Sequence, residues 1–263
     1  MVDDLAQAYA RAPKHVVFIE HDLENLEAGQ NRRRNMWYAA RNGGNSANTP
    51  MILIDSGAQW LEGAVQYDRV YKRAVDEALA RPPQVQIDAY FQKSGATADL
   101  SIKVTNWSEE TLTPGSGAQV SAILYEDKKV LHTGRIGRAV VAGGIGDSLE
   151  YGESGAYRLQ FTNLAGVTWS KAHIVVLVEH RSGVGNAYES LQAAMAVEGV
   201  PPTATPTATA TETPRPTDTP VPTDPPPPTA TDVPRATDEP TATPVIHIDW
   251  RLYVPAVLRR FDH

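Results

Sequence analysis

At 263 residues the chain has room for one or two ordinary domains, and its formal net charge of −7 argues against a nucleic-acid surface. It contains no cysteine, which excludes disulfides, a thiolate nucleophile and a Cys-ligated metal. No run approaches the roughly 20 apolar residues that cross a bilayer as a helix, and the opening MVDDLAQAYARAPK lacks the apolar stretch of a signal peptide.

In chain order, Leu5, Ala8, Tyr9 and Ala12 recur at helical spacing before Pro13, so residues 3–12 are expected to form a short helix. Residues 16–20 (VVFIE) read as a buried strand and residues 22–29 as a polar loop. A second helix is expected over residues 30–41, ended by Asn42, Gly43 and Gly44. Thr49 and Pro50 lead into a second buried strand, residues 51–55 (MILID), and Ser56-Gly57 is a turn signal. Residues 65–80 place Tyr67, Val70, Tyr71, Ala74, Ala78 and Leu79 on one helical stripe, and Pro82-Pro83 closes this first lobe.

From Val85 onward the apolar period changes from about 3.6 to 2. Val85, Ile87, Ala89 and Phe91 alternate with polar residues, as do Leu100, Ile102 and Val104, then Val120, Ala122 and Leu124, then Tyr157, Leu159 and Phe161. Such runs, separated by Asn, Gly, Ser and Pro turns, predict an antiparallel β-sandwich. The continuously apolar residues 173–180 (HIVVLVEH) read as a central strand, and residues 187–197 as a strand or a short helix. Gly143, Gly144 and Gly146 read as a flexible hairpin, because no Lys or strand–helix context makes them a phosphate loop.

Residues 200–244 hold fourteen of the chain's twenty prolines together with fourteen threonines. A segment so poor in apolar side chains cannot offset its ordering entropy, and its proline content makes it an extended, disordered spacer. Thr/Pro stalks of this kind point to an extracellular or cell-surface location, with threonines open to O-glycosylation. Residues 245–263 turn apolar again and read as a short tail that needs a partner. The expected fold class is therefore α+β. It comprises an α/β lobe over residues 1–82, an antiparallel sandwich over 83–199, a disordered stalk over 200–244 and the tail over 245–263.

Three stretches carry a family resemblance. VVFIEHD with the basic helix ending in Trp37-Tyr38 and the TPMILIDSG of residues 49–57 resembles a strand–helix–strand unit of thioredoxin-like domains. Residues 123–127 (ILYED) resemble a strand of an immunoglobulin-like sandwich, and residues 174–179 with YESLQAA (188–194) resemble its closing strand. Over residues 3–197 the chain is similar to the bacterial Omp28-related outer-membrane proteins. The resemblance implies a partial thioredoxin-like lobe followed by an Ig-like sandwich, with Thr49-Pro50 as a cis-Pro loop that binds an extended peptide. The family's Cys-x-x-Cys module should lie upstream of Val16. Met1 is therefore expected to fall inside the domain: either the reading frame is shortened, which would also account for the absent signal peptide, or the redox module has been lost.

Other residues carry weaker signals. Glu20, His21, Asp22 and Glu24 combine carboxylates with one imidazole, a set suited to calcium or zinc, but no second His stands at helix spacing, so a polar strand exit is the reading adopted. Arg32, Arg33 and Arg34 cannot share one helix face at 100° per residue and read as solvated charge rather than an anion patch. His173 and His180, seven apart on a strand, should point to opposite faces. Trp107, Trp169, Tyr125 and Tyr157 are expected in the core or at its rim, whereas an exposed aromatic row would suggest carbohydrate binding.

No catalytic constellation, cofactor or metal site emerges. The expectation is a non-enzymatic extracellular or cell-surface binding and display module. It would have a protein or peptide partner at the first lobe and envelope attachment through the tail, with no nucleic-acid partner and no transmembrane segment. The alternative is the C-terminal portion of a thiol–disulfide oxidoreductase.

Overall fold

The computed structural model describes residues 9, 16–19, 51–57, 59–62, 67–128, 135–181 and 188–202. The expected helices over 3–12 and 30–41, the stalk from residue 203 onward and the tail lie outside them, apart from Tyr9. Among the described residues the fold is β-rich, with one α-helix and two four-stranded sheets, and no helix is long and apolar enough to cross a membrane.

The first lobe is built on a hairpin and a helix. Strand β1 (Met51–Ile54) pairs antiparallel with β2 (Gln59–Glu62) across a 3-10 turn at Asp55–Gly57, and α1 (Tyr67–Ala80) follows. β2 has no counterpart in the sequence reading: QWLE is four residues long and shows no alternation of apolar and polar positions. On α1, Tyr71, Ala74, Val75 and Ala78 are buried, as helical spacing requires. They share a core with Val16, Phe18, Ile52, Ile54 and Tyr9. Phe18 makes an isolated bridge, whereas the described ladder of β1 is with β2.

The sheets that follow are β10–β3–β4–β7 and β6–β5–β8–β9. The first comprises β3 (Val85–Ser94), β4 (Thr97–Asn106), β7 (Ser154–Phe161) and the two-residue β10 (Val197–Glu198), which runs parallel to β3. The second comprises β5 (Gln119–Glu126), β6 (Ile136–Gly144), β8 (Ala172–Arg181) and β9 (Tyr188–Met195), all antiparallel. The two enclose one core, in which Ile87, Leu100, Ile102 and Phe161 of the first meet Val120, Leu124, Ile174 and Val176 of the second.

The opposite face of the second sheet is covered as well. Ile123, Tyr125, Val175, Leu177 and Ala193 pack against Val17 and Ile19, while Val16 and Phe18 turn the other way, toward α1 and β1. The alternation of residues 16–19 thus serves two cores at once. Double cover explains why all eight residues of β5 are buried and why β8, between β5 and β9, is nearly uninterrupted in its apolar run.

One expectation is decided and one needs correcting. Of residues 187–197, expected as strand or short helix, Tyr188–Met195 forms the strand β9, with a bulge opposite Val178 and Glu179. Gly143 and Gly144 are not a hairpin but the end of β6, paired with Val120 and Gln119, and Ile145 beyond them is buried. Glycine is favoured at 143 by a close approach: a Cβ there would stand 3.1 Å from Leu159 Cδ2.

Candidate functional site

The densest polar cluster forms where the β1–β2 turn meets the second sheet. Asp55, Ser56 and Gly57 have φ of 49°, 61° and 111°, three successive residues with positive φ. Glycine adopts this at no steric cost, whereas serine does not, so neighbours must hold the turn. Ser56 Oγ donates to the carboxylate of Glu179 and lies 2.6 Å from Ser190 Oγ. Ser121 Oγ and Gln119 Nε2 donate to Glu179 Oε2 at 2.7 and 3.1 Å. Asp55 pairs with Arg81, at the exit of α1, and Arg81 also pairs with Glu189 at the start of β9.

Glu179 is fully buried, at 0 % exposure. A buried carboxylate is tolerated only where donors replace its lost hydration, and here two hydroxyls and an amide do so. The β9 bulge contributes by letting Leu191 enter the core while Ser190 stays against Ser56. A serine hydroxyl on a carboxylate has the ingredients of general-base activation, but this pair is sealed beneath the first lobe. His180 does not join it, since its Nδ1 faces Glu110 Oε2 at 3.6 Å. The cluster therefore fixes the turn and seats the first lobe on the sheet.

The accessible counterpart is a depression of about 350 Å³ on the outer face of the β10–β3–β4–β7 sheet. Register sets Tyr90, Ser101 and Arg158 directly opposite one another across β3, β4 and β7, with Gln92, Asp99 and Gln160 in the adjacent row. Gln160 Nε2 donates to Asp99 Oδ1 at 2.7 Å, and Gly199 and Pro201 form part of the wall. Because alternate residues of a strand share a face, the polar halves of three amphipathic strands are gathered here. The row offers a phenol, a hydroxyl and a guanidinium, a set that hydrogen-bonds polar ligands.

Thr49 and Pro50 lie outside the described residues, immediately before β1, as do Glu20, His21, Asp22, Glu24 and Arg32 to Arg34. Among the described residues no group of three or more His, Asp or Glu is placed to hold a metal ion. His173 and His180 are on opposite faces: His173 stacks on Tyr125 at 5.2 Å between ring centroids and contacts Asp127 at 2.8 Å. Tyr125 is buried and Trp169 half-buried, stacked on Phe91, while Trp107 reaches solvent. Sequence reading passed over Glu179, Ser121, Ser190 and Arg81. One signal was legible: a carboxylate closing an otherwise apolar strand, which needs buried donors.

Among solved structures, the chain is similar to HBP35 of Porphyromonas gingivalis, with a TM-score of 0.50 and 13% identity over 75% of this chain and 68% of that one. The likeness is one of fold. A domain of the outer membrane lipoprotein Omp28 from Porphyromonas gingivalis also matches, at a TM-score of 0.28 and 15% identity, over 46% of this chain and 93% of that domain. No protein-family model matches the chain, and no curated protein does.

Proposed function

We propose that the chain is a non-enzymatic binding and display module that works outside the cell or on its surface. The observation that carries this reading is the division of its polar chemistry. The Ser56–Glu179 cluster is sealed and structural, whereas Tyr90, Ser101, Arg158 and the row beside them line a shallow, preformed depression open to solvent. Pre-formed concave sites with a few placed polar groups are the usual form of a ligand-binding surface. The hairpin and helix of the first lobe fit the rear of a thioredoxin-like domain, and the paired sheets fit an immunoglobulin-like sandwich. On this reading Thr49-Pro50 presents backbone to a peptide, residues 200–244 act as a spacer and residues 245–263 attach the chain to the envelope.

Intact cells treated with a membrane-impermeant amine reagent should label the full-length chain without lysis, and deletion of residues 245–263 should release it to the medium. Labelling only after lysis would overturn the location. The hairpin–helix unit also favours a second reading, the C-terminal portion of a thiol–disulfide oxidoreductase. Its test is an in-frame Cys-x-x-Cys in the coding sequence immediately upstream.

A further inference from the structure

Trp107 and Tyr151 are among the few large apolar side chains that the described residues expose, at 38% and 68%. They are not scattered singly. Their ring centroids are 5.6 Å apart at 74°, an edge-on pair joining the segment after β4 to the segment before β7. Isolated exposed hydrophobics need no explanation, but a fixed aromatic pair does.

The pair is held rigidly from beneath by Asn106, which is fully buried. Its Nδ2 donates to the carbonyls of Glu110 and Leu149 at 2.8 and 2.9 Å, and its Oδ1 accepts from Ser108 N and Oγ at 2.9 and 2.6 Å. The backbone of Asn106 also bonds to Glu153 and Gly152, at 2.9 and 2.7 Å. Trp107 N donates to the Gln84 carbonyl at 2.9 Å. Gly152 lies beside Trp107 in the left-handed region, at φ 81°, which glycine takes at no steric cost. One buried amide thus staples both loops, and little entropy is left to lose on binding.

Charge decides what the pair fits. The loops over residues 107–118 and 145–153 contain Glu109, Glu110, Asp147, Glu150 and Glu153 and no lysine or arginine, and Arg181, whose stem packs on Gly117, has its guanidinium over the Tyr188 ring. All five acids are exposed, and among the described residues none is paired with a lysine or arginine. Glu150 accepts from Thr111 Oγ1 at 2.7 Å and Glu153 from the Glu150 N–H at 2.8 Å, which fixes both within the loops. An aromatic face attracts a cation through its quadrupole, and surrounding carboxylates raise the local concentration of cations. A neutral sugar would use the rings and ignore the acids, while an anionic glycan would be repelled.

We infer that this end of the sheet pair is a docking surface for a lysine- or arginine-rich segment of another protein, received on Trp107 and Tyr151 between the two loops that carry the five acids. The inference deepens the binding reading above and rests on it. The full chain should be titrated with hexalysine and hexaarginine peptides, a Gly-Ser peptide of equal length and cellohexaose. The two basic peptides should bind, more weakly as salt rises, and the other two should not. Trp107→Ala and Tyr151→Ala leave the charge unchanged and should each weaken binding about tenfold. Tyr151 is exposed enough that its variant should melt as the parent does, so the test survives any misfolding of the Trp107 variant.

Three results would overturn the inference: no binding of either basic peptide; binding undiminished in both aromatic variants, which would mean diffuse charge attraction; or binding of cellohexaose instead, which would make the pair a glycan platform. A surface-labelled chain that ignores the peptides loses only this inference. A chain that binds them but labels only after lysis loses the location instead.

Discussion

Ser56 carries a conflict between backbone and side chain. Its φ of 61° is costly for a residue with a Cβ, yet its hydroxyl serves Glu179 and Ser190 in a buried seam. Two substitutions separate these terms. Ser56→Ala removes the hydroxyl and keeps the backbone cost, so it should destabilise the fold by about 2 kcal/mol, the usual worth of a hydrogen bond to a charged group. Ser56→Gly removes the same hydroxyl but relieves the backbone, and should be less harmful by about 1 kcal/mol. Chemical denaturation of both variants checks the order, and an alanine variant at least as stable as the glycine one would show that the turn is not strained. Of this the sequence shows only a turn at Ser56-Gly57 and a carboxylate, Glu179, closing an apolar run. The partners Ser121, Glu179 and Ser190 come from three strands, and the Ser56 contacts span 123 and 134 positions along the chain. Local pattern cannot see across such separations.

Elements were legible wherever one face is apolar and the other wet. Strands β3, β4 and β7 alternate cleanly, and α1 shows its stripe. Strand β6 was not legible, because IGRAVVAGG ends in two glycines that continue the strand rather than turn it, the first of them in a tight approach to Leu159. Helix α1 also anchors an earlier part of the chain, since Tyr9 donates its hydroxyl to Asp76 Oδ1 at 2.7 Å, and Lys72 holds the other oxygen at 2.5 Å. Burial, then the bond and charge of Asp76, raise the Tyr9 phenol above its ordinary 10.0. The Asp76 carboxylate likewise raises Lys72 above 10.5. Burial and then the charge of Asp147 raise Tyr157. In each case the protonated form is favoured by folding. Each contribution is therefore complete below the unfolded value and is lost as pH rises through the raised one. The melting temperature should fall as pH rises above about 10, through the raised values of these groups. Tyr9→Phe should melt lower at neutral pH and show a shallower alkaline fall, with Tyr157 and Lys72 supplying the remainder. Thermal melts from about pH 8 upward into the alkaline range test it, and an unchanged alkaline slope would remove Tyr9 from the account.

At the scale of the whole molecule, the sheet β6–β5–β8–β9 is the shared wall of two cores. Leu124 and Val176 face the opposing sheet, while Ile123 and Leu177, next to them in sequence, face Val17 and Ile19. Two units that share strands cannot unfold one without stripping a buried face from the other, and burial of a single Leu or Ile side chain is worth about 1.5–3 kcal/mol. Residues 9–201 should therefore melt in one transition rather than two. Leu177→Ala tests this most directly, because its side chain is fully buried on the first-lobe side of β8, in the cluster with Val17 and Ile19. It should cost about 2–5 kcal/mol, as large-to-small changes in a tight core do. Its far-UV signal, dominated by the strands, should shift down together with the fluorescence of Trp107 and Trp169, read in a background where Trp37, Trp60 and Trp250 are replaced by Phe so that the signal reports the sheet pair. If the tryptophan signal kept its parental midpoint while part of the ellipticity melted early, the first lobe would be an independent unit. The Ser56–Glu179 seam would then be a contact between neighbours rather than part of one cooperative fold.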